Sequence, residues 1–593
     1  MRHSLKLVAT LIVGAVALLI EFAFGQQLAA QVVVTVAGSI MSISMVIEMI
    51  KTLRSGKFGV DLLAIMAIVA TLAVGEYWAS LMVLVMLTGG DTLEDYASKK
   101  AGQELKSLLD NSPQMAHLID GTKLTDIAAD DVVVGDLLLV RPGEQVPVDS
   151  QVVEGSTTVD ESSLTGESRL IEKNVGAELM SGSINGDQAI TVKALSKAAD
   201  SQYQAIIKLV KESAEQPAHF VRMADRYAVP FTIISLLIAI VAWLISGDPV
   251  RIAEVLVVAS PCPLILAAPI ALVSGMSRAS KNGIIVKTGT TIEKLALAKT
   301  IAFDKTGTLT RGKLDVNEVN AVTPFSKAEL LHLAASAEQR SGHVLARSLI
   351  AYVDQDQLSA VNQLKEVTGQ GIEAVVDGKN VKVGKAGFVS DETVQETEQT
   401  AMYVSVDGQY AGYINFLDQL RPEAKDTINQ LKQLGLRRAL MLTGDHATIA
   451  SSIASDVGID EVHGGLLPKD KVDILHSISK ENRPVIMVGD GVNDAPSLTT
   501  ADVGIAMGAH GATSASDSAN AVILKDDLTR VARAVSISKD TMRIARSDVL
   551  TGIVILVILM LIAATGVIPA LIGAIFQEAV DTITILLALR ARS

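Results

Sequence analysis

The sequence predicts a multidomain α-helical membrane protein in which eight apolar helices carry two large polar inserts. Its 593 residues are too many for a single hydrophobic core. Hydrophobic residues make up 49% of the chain but aromatic residues only 3%, a combination typical of long aliphatic helices. Long apolar runs stand near both ends and in the middle of the chain, and polar stretches separate them. These observations indicate membrane helices with soluble domains between them.

The apolar runs define the predicted membrane part. Lysines and arginines gather beside the first run, between the second and third, and after the last, whereas the other short loops lack them. The positive-inside rule therefore places both termini and both inserts in the cytoplasm. We expect the protein to lie in the cytoplasmic membrane. The first run lacks a good cleavage site, so we expect it to be retained as a helix. The candidate spans are residues 5–24, 29–50, 59–75, 77–92, 229–245, 252–273, 550–567 and 569–589.

Charge and cysteine content exclude several classes of protein. The net charge of −14 argues against nucleic-acid binding. A single cysteine rules out an intramolecular disulfide, so the chain needs no oxidising compartment. Without a Cys-x-x-Cys pair, we also expect no thiol-based soluble metal-binding module.

The two inserts differ in their patterns. Residues 100–218 contain segments such as "DVVVGDLLLV" and "AITVKAL" between Gly, Pro and Asp turns, which predicts a β-rich domain. Residues 274–547 alternate short apolar strands, such as "RALMLTGD" and "PVIMVGDG", with stretches of helical spacing. This alternation predicts a doubly wound parallel sheet, whose ligands bind at the carboxyl ends of strands. Residues 312–417 form an insert within that domain.

Carboxylates follow three of the predicted strands. Asp304 ends "TIAFD" and Asp445 ends "LTGD". Asp490 and Asp494 lie in "GDGVNDAP", after the third strand. Carboxylates at one sheet edge repel each other unless a cation lies among them, and hard oxygen ligands suit Mg²⁺. Such a cation neutralises phosphate and lets a carboxylate approach phosphorus.

Two further residues fit phosphoryl transfer. Lys471, in "LPKDK", can place a positive charge on the transferred group, and Thr443, in "LTGD", can donate a hydrogen bond to it. Any one of the aspartates alone is more often a helix cap or turn residue. Together and in this order, they favour a phosphoryl-transfer site.

The motifs "DKTGTLT", "TGD" and "GDGVNDAP", with "TGES" in the first insert, resemble those of P-type ATPases over nearly the whole chain. This resemblance implies a cytoplasmic β-rich actuator domain and an α/β HAD-like phosphorylation domain that carries an inserted α+β nucleotide-binding domain. The implied boundaries are membrane helices at 1–99, actuator domain at 100–218, helices at 219–273, phosphorylation domain at 274–311 and 418–547, nucleotide-binding domain at 312–417, and helices at 548–593.

The resemblance also implies individual roles. Asp304 would be the nucleophile that becomes an aspartyl phosphate. Asp490, Asp304 and the Thr306 carbonyl would hold Mg²⁺. Glu167 would position the water that hydrolyses the phosphoenzyme, and a moving domain would bring it to the site. The other implied catalytic residues are Lys305, Thr306, Thr443, Asp445, Lys471, Asn493 and Asp494.

The inserted domain is expected to bind ATP. The heavy-metal subgroup of the family has a His-Pro pair near adenine, and this chain has His343 followed by Val344, in "SGHVLA" with Ser341. A lone histidine is usually a surface or core residue, but its context here favours a nucleotide role. Gly369 and Gly371, in "GQG", can let the backbone approach a nucleotide, although Gly-x-Gly alone is weak evidence.

The stretch "ASPCPLILAAP" lies inside a predicted span. Pro261 and Pro263 cannot donate backbone hydrogen bonds, so the helix must unwind locally. Unwound backbone at membrane depth occurs where it lines a cavity or is buried in protein. The Cys262 thiol and Ser260 hydroxyl would then be free to bind a transported ion. The alternative is a kinked helix with a purely structural role, in which the cysteine is buried and binds no ion.

The last span contains Gln577, Glu578 and Asp581. Acidic side chains in a membrane are costly and usually functional. Glu578 and Asp581 are three residues apart and share a helix face, so both could neutralise a cation opposite Cys262. Acidic residues near the interface are the alternative.

Eight spans with "SPC" resemble the heavy-metal (class IB) subgroup of P-type ATPases. One thiol with two carboxylates suits a divalent ion, and zinc, cadmium, cobalt, iron and manganese all remain open. We therefore predict ATP-driven export of a divalent transition metal. The alternatives are a monovalent copper exporter and, in another class, a membrane phosphatase or metal sensor that does not transport.

Overall fold

The computed structural model describes residues 2–54, 62–101, 113–121, 123–161, 170–201, 203–204, 207, 221–259, 262–354, 358–367, 369–390, 397, 400–445, 447–490, 494–508 and 518–592. The first part of the chain is helical. The helices carry many exposed leucine, isoleucine and valine side chains, as expected of surfaces that face lipid. A π-helical turn, Leu19–Ala23, follows the first helix. These helices are α1 (Arg2–Leu18), α2 (Gln27–Arg54), α3 (Leu62–Ala73) and α4 (Tyr77–Ala101).

The first polar insert is a β-domain, in agreement with the prediction. Its main sheet has six antiparallel strands in the order β2-β1-β3-β9-β4-β7, and a smaller sheet has the order β6-β5-β8. The core is formed by inward-facing residues such as Leu138, Val140 and Val192. The strands are β1 (Met115–Asp120), β2 (Lys123–Ala128), β3 (Leu137–Val140), β4 (Ser150–Glu154), β5 (Thr157–Asp160), β6 (Leu170–Lys173), β7 (Glu178–Leu179), β8 (Ile184–Asn185) and β9 (Ile190–Ala194).

The middle membrane segment is interrupted at the Ser-Pro-Cys motif. One helix ends at Val258, and the next begins at Cys262. The predicted span 252–273 is therefore two helices, because a proline cannot complete the hydrogen-bond pattern of a continuous helix. The helices are α5 (Val221–Ser246), α6 (Val250–Val258) and α7 (Cys262–Lys281).

The inserted domain interrupts the second polar region after β10 (Ile284–Val286), α8 (Gly289–Leu297) and β11 (Thr300–Asp304). It contains a six-stranded antiparallel sheet in the order β12-β17-β16-β15-β14-β13. Thr310 pairs with Leu420, so the sheet extends slightly beyond the predicted limits of 312–417. Its elements are β12 (Thr310–Ala321), α9 (Lys327–Glu338), α10 (Val344–Tyr352), β13 (Val361–Val367), β14 (Gly371–Val376), β15 (Lys379–Gly384), α11 (Ala386–Val389), β16 (Ala401–Val406) and β17 (Gln409–Leu420).

The chain then completes a seven-stranded sheet in the order β10-β22-β21-β20-β11-β18-β19. All neighbouring strands are parallel except β10 and β22. The central strands are buried along their whole length, as expected when helices cover both faces. The remaining elements are α12 (Ala424–Gln433), β18 (Arg438–Leu442), α13 (Ala447–Val457), β19 (Glu461–His463), α14 (Pro468–Ser477), β20 (Val485–Gly489), α15 (Ala495–Thr500), β21 (Val503–Met507) and β22 (Ala521–Ile523).

Two long helices, α16 (Thr529–Ala564) and α17 (Ala570–Ala588), end the chain. The boundary predicted at residue 548 lies inside α16, which runs without a break from the soluble part into the membrane part. Among the described residues, five helices are long and apolar enough to cross a membrane, and α3 is a shorter apolar helix. Eight spans therefore remain a prediction. The five are Leu5–Ala23, Gln27–Ile47, Val229–Ser246, Thr529–Ala564 and Ala570–Arg592.

Candidate functional site

The carboxyl ends of three adjacent parallel strands meet at one edge of the seven-stranded sheet. Strand β11 lies between β18 and β20, and Asp304 at its end is in register with Leu442. Thr443 follows β18 directly, and Asp490 follows β20. The strand order thus brings together residues that are far apart in the chain, and it does so where doubly wound sheets bind ligands.

Lys471 joins two of the carboxylates. Its Nζ atom lies 2.6 Å from Asp304 Oδ1 and 2.7 Å from Asp494 Oδ1. All three side chains are buried. Lys471 is near the start of α14, and Asp494 directly precedes α15, so two helix starts complete the site. A buried ammonium between two carboxylates is ready to contact an anionic group that approaches Asp304.

The negative charge at this edge exceeds the positive charge. Burial and the charges of Asp494 and Asp490 raise the pKa of Asp304 to about 6, although the Lys471 ammonium opposes this shift. Burial alone would lower the pKa of Lys471, but the Asp304 and Asp494 carboxylates raise it above its usual value. A Cβ atom on Gly307 would lie 2.5 Å from Asp490 Oδ2, which places that carboxylate against the loop after Asp304. Hard oxygen donors with surplus negative charge fit Mg²⁺.

The remaining predicted catalytic residues are placed as follows. Lys305 pairs with Asp445. The Asp445 backbone N–H donates to Thr443 Oγ1 at 3.2 Å, which shapes the turn after β18. Thr306 is exposed, in the loop at residues 305–309. Asn493 lies outside the described residues.

Arg421, which was not predicted from the sequence, binds the backbone of the loop at residues 305–309. Its Nε atom donates to the Thr308 carbonyl at 2.8 Å, and one terminal nitrogen donates to the Gly307 carbonyl at 3.1 Å. The guanidinium also pairs with Asp526 and is almost fully buried. An arginine just after a strand, in "DQLRPEA", was the available signal, but its target could not be known before folding.

A second site lies in the inserted domain. A cavity of about 480 Å³ is lined by all four residues predicted to bind nucleotide: Ser341, His343, Gly369 and Gly371. His343 caps α10, and its Nδ1 accepts a hydrogen bond from Leu345 N–H at 3.3 Å. In a neutral ring, Nε2 then carries the proton and can donate to a ligand.

The same cavity contains Glu338, which the sequence reasoning missed. This residue ends α9, is 3% exposed, and its Oε2 atom has no hydrogen-bond partner. Burial raises the pKa of Glu338 to about 7, although a hydrogen bond from Ser341 opposes this. An unpartnered buried oxygen calls for a donor, and a ligand with an amino group could supply it. The signal was an acid at the end of an alanine-rich helix.

The membrane residues separate into two groups. Gln577 and Asp581 are buried on one face of α17, and Gln577 Nε2 donates to Asp581 Oδ1 at 2.7 Å. Glu578 is only partly buried as a whole residue, although its Oε2 atom is buried and has no hydrogen-bond partner among the described residues. Ser260 and the Cys262 side chain lie outside the described residues. Within the described part, no group of three or more His, Cys, Asp or Glu side chains is placed to hold a metal ion.

Comparison with known proteins identifies the family. A model of the P-type ATPase actuator domain matches residues 110–211, and a model of haloacid dehalogenase-like hydrolases matches residues 298–502. A zinc-transporting ATPase of Bacillus subtilis is 34% identical over 616 residues, which cover 99% of this chain and 96% of that protein. The chain belongs to the P-type ATPases.

Other relatives of this P-type ATPase are named as metal transporters. A cadmium-transporting ATPase of Staphylococcus aureus is 32% identical and covers 86% of the chain and 74% of its own length. A probable copper-exporting P-type ATPase of Mycobacterium tuberculosis is 36% identical, covering 78% of the chain and 63% of its own length. The crystal structure of a zinc-transporting PIB-type ATPase in the E2.Pi state matches all of both chains, with 27% identity and a TM-score of 0.68. The protein is therefore an ATPase of the metal-transporting PIB group.

The family assignment identifies the β-domain as the actuator domain of a P-type ATPase. The match to the actuator domain covers β1 to β9. Glu167, the predicted hydrolytic residue, lies outside the described residues.

Proposed function

We propose that this P-type ATPase exports a divalent transition-metal cation of the zinc and cadmium kind from the cytoplasm, with Asp304 as the phosphorylated residue. The observation that supports it most directly is the Lys471 ammonium held between Asp304 and Asp494. The names of the zinc- and cadmium-transporting relatives support the choice of cargo. The cytoplasmic location of both termini, eight spans, and ATP with Mg²⁺ as the nucleotide form belong to the same proposal.

The proposed phosphorylation step assigns a role to each side chain at the sheet edge. ATP binds with its base in the Glu338–His343 cavity and its γ-phosphate at Asp304. Asp304 attacks the γ-phosphorus, the bond to the β–γ bridging oxygen breaks, and ADP leaves. Lys471 and Thr443 contact the transferred group. The chemistry that Mg²⁺ supplies at Asp304, Asp490 and the Thr306 carbonyl is neutralisation of phosphate charge.

The second step returns the enzyme to its starting state. Water held by Glu167 attacks the phosphorus of the aspartyl phosphate, inorganic phosphate leaves, and the Asp304 carboxylate is restored. Alternation between the two states must change the affinity of the membrane site around Cys262, Ser260, Asp581 and Glu578, because a cycle couples to transport through differential binding.

A copper exporter is the second candidate, since one relative carries that name. The chain has a single cysteine, and monovalent copper favours several soft sulfur ligands. Divalent cargo is therefore the better match to one thiol beside carboxylates.

The experiment measures ATP hydrolysis and labelled phosphoenzyme across Mn²⁺, Fe²⁺, Co²⁺, Zn²⁺, Cd²⁺ and Cu⁺. We expect Asp304→Asn to form no hydroxylamine-labile phosphoenzyme, while the control Asp456→Asn, an exposed acid of the same domain, keeps it. Cys262→Ala and Asp581→Ala should abolish stimulation by Zn²⁺ and Cd²⁺. A phosphoenzyme that survives in Asp304→Asn, or stimulation by Cu⁺ alone, would refute the proposal.

A further inference from the structure

A cavity of about 590 Å³ opens between α5 and α16 in the membrane part. Both helices are long and apolar enough to cross a bilayer. Leu237, Val241 and Leu561 line the cavity, and each of these side chains is exposed. Because exposed apolar side chains of membrane-spanning helices face hydrocarbon, the cavity is a groove that is open to the lipid.

The groove is apolar at one end and polar at the other. Leu237 precedes Ser246 by nine residues, or about 14 Å along α5. The hydroxyls of Ser246 and Thr565 and the guanidinium of Arg251 line the other end. In the chain, α5 follows the β-domain and α16 follows β22, so both helices end at the membrane face remote from the soluble domains. An apolar groove with a polar rim at the membrane face matches the way a phospholipid lies in a bilayer.

Arg251 gives this rim a hydrogen-bond donor for an anion. One of its terminal nitrogens lies 2.5 Å from Oε2 of the buried Glu254. The other terminal nitrogen is 4.0 Å from Asp248 Oδ2, a distance longer than a hydrogen bond. The arginine side chain is 23% exposed, and its guanidinium packs against Gly566. The second nitrogen can therefore donate to a phosphate oxygen, which guanidinium groups bind well.

Asp248 gives the rim an acceptor for a cation. Its Oδ1 atom accepts the Val250 backbone N–H at 3.0 Å, which fixes the carboxylate just before α6. The side chain is 44% exposed, so its other oxygen can accept from an ammonium group. With Glu254 and Asp248 beside a single guanidinium, negative charge exceeds positive charge at the rim. This surplus disfavours a headgroup that carries only negative charge.

We propose that this groove binds phosphatidylethanolamine from the surrounding bilayer. The lipid phosphate accepts from Arg251, the lipid ammonium donates to Asp248, and an acyl chain lies along the apolar wall. Phosphatidylcholine has no N–H group to donate, and phosphatidylglycerol brings a negative charge without an ammonium, so both bind less tightly. The inference needs only the membrane location of the chain and is independent of the transported metal.

The test incubates the purified, delipidated full chain in detergent with equimolar phosphatidylethanolamine, phosphatidylcholine and phosphatidylglycerol that have identical acyl chains. Native mass spectrometry counts the lipids that remain bound. Wild type should bind phosphatidylethanolamine about fivefold or more tightly than the other two lipids, because only this headgroup completes both charged contacts. Neither ATP nor metal is present, so failure of this inference and failure of the proposed transport function are separate results.

Two variants test the groove and its rim separately. Val241→Trp fills the groove and should lower the apparent affinity for phosphatidylethanolamine about fivefold or more. Leu244→Trp, the matched control, makes a similar change at an exposed position of α5 that does not line the groove, and it should bind as wild type does. Asp248→Asn removes the charge that holds the ammonium, so the preference over phosphatidylcholine should fall to within about twofold.

Equal retention of the three lipids by wild type overturns the inference, and so does wild-type retention of phosphatidylethanolamine in Val241→Trp. An unchanged preference in Asp248→Asn overturns the assignment of the headgroup. A wild-type preference for phosphatidylglycerol also overturns it, because the rim would then attract any anionic lipid. If Val241→Trp fails to assemble, Leu561→Trp fills the groove from the facing helix and decides in its place.

Discussion

Single residues at the sheet edge have conformations that few substitutions tolerate. Gly307 has a φ of +71°, a region that favours glycine, and it lies directly against Asp490. The glycine thus allows the loop after Asp304 to turn and lets a carboxylate approach its backbone. The "TGT" in the motif is therefore a geometric requirement as well as a family signature.

Gly307→Ala should slow phosphoenzyme formation by about 100-fold, because its Cβ displaces Asp490 and small displacements at a reacting centre are that costly. The control is Gly458→Ala, where φ is +82° but no atom lies within 4 Å of the added Cβ. Both variants have similar backbone strain, so only the first should lose activity. Quenched-flow labelling with γ-labelled ATP measures the rate of phosphoenzyme formation. Equal rates in the two variants would show that the contact between Gly307 and Asp490 does not matter for phosphorylation.

Glu338 should make nucleotide affinity depend on pH. Its raised pKa of about 7 means that the side chain is largely protonated at pH 6 and ionised at pH 8. A nucleotide amino group that donates to Oε2 favours the ionised form, so the affinity should rise with pH by about two- to tenfold. Titration with a non-hydrolysable ATP analogue at pH 6, 7 and 8 measures this.

Glu338→Gln removes the titrating group but keeps an acceptor oxygen, so its affinity should vary less with pH than that of wild type. This comparison also corrects for titration of the nucleotide phosphates, which is common to both proteins. A wild-type affinity that falls between pH 6 and pH 8, relative to the variant, would show that the protonated acid is the binding form.

At the scale of elements, the loop at residues 305–309 is held between the nucleophile and the connection to the nucleotide-binding domain. Arg421, just after β17, donates to two carbonyls of this loop. Strands β12 and β17 pair side by side from Thr310 to Ala321 and are the chain's route into and out of the inserted domain. The arginine that positions this loop thus directly follows the strand by which the chain leaves the inserted domain.

Arg421→Gln should reduce the phosphorylation rate about tenfold or more, because the loop carbonyls lose their buried donors. Affinity for ATP should change less than about twofold, since Arg421 is not among the residues that line the cavity. Arg437→Gln, an exposed arginine of the phosphorylation domain, is the control. A parallel loss of ATP affinity would indicate general unfolding rather than loss of the loop support.

At the scale of the whole molecule, α16 joins the phosphorylation domain to the membrane part without a break. It packs closely against α7: a Cβ atom on Gly275 would lie 2.6 Å from Thr541 Cγ2. Helix α7 begins at Cys262 of the Ser-Pro-Cys motif and ends shortly before β10. Two helices in tight contact thus connect the predicted cation site to the phosphorylation site.

Gly275→Ala should force α7 and α16 apart, because overpacking a close contact costs about 1–3 kcal/mol of stability. We expect Zn²⁺-stimulated ATP hydrolysis to fall about tenfold, because these two helices join the predicted cation site to the phosphorylation site. Binding of an ATP analogue should be unchanged. Gly90→Ala, in α4, has no atom near the added Cβ and should keep full activity. An unaffected Gly275→Ala variant would mean that this contact does not couple the two sites.

Much of the fold and of the candidate site could be predicted from the sequence, because it depends on patterns of neighbouring residues. Helix-length apolar runs, prolines beside Cys262, and strands ending at Asp304, Thr443 and Asp490 are patterns of neighbouring residues, and parallel strands bring their ends to one edge by rule. The order of the motifs indicated the family, which the relatives confirm. The four residues predicted to bind nucleotide all line one cavity. They come from two short stretches of the sequence, and each stretch could be recognised from its local pattern.

Only the tertiary structure decided contacts that join distant parts of the chain. Burial of Glu338, the reach of Arg421 to the loop carbonyls, and the Gln577–Asp581 face of α17 depend on which elements pack together. The same holds for the burial of Glu254 and its ion pair with Arg251. Sequence patterns report which residues are neighbours along one element, whereas burial and charge pairing are set by what packs against that element.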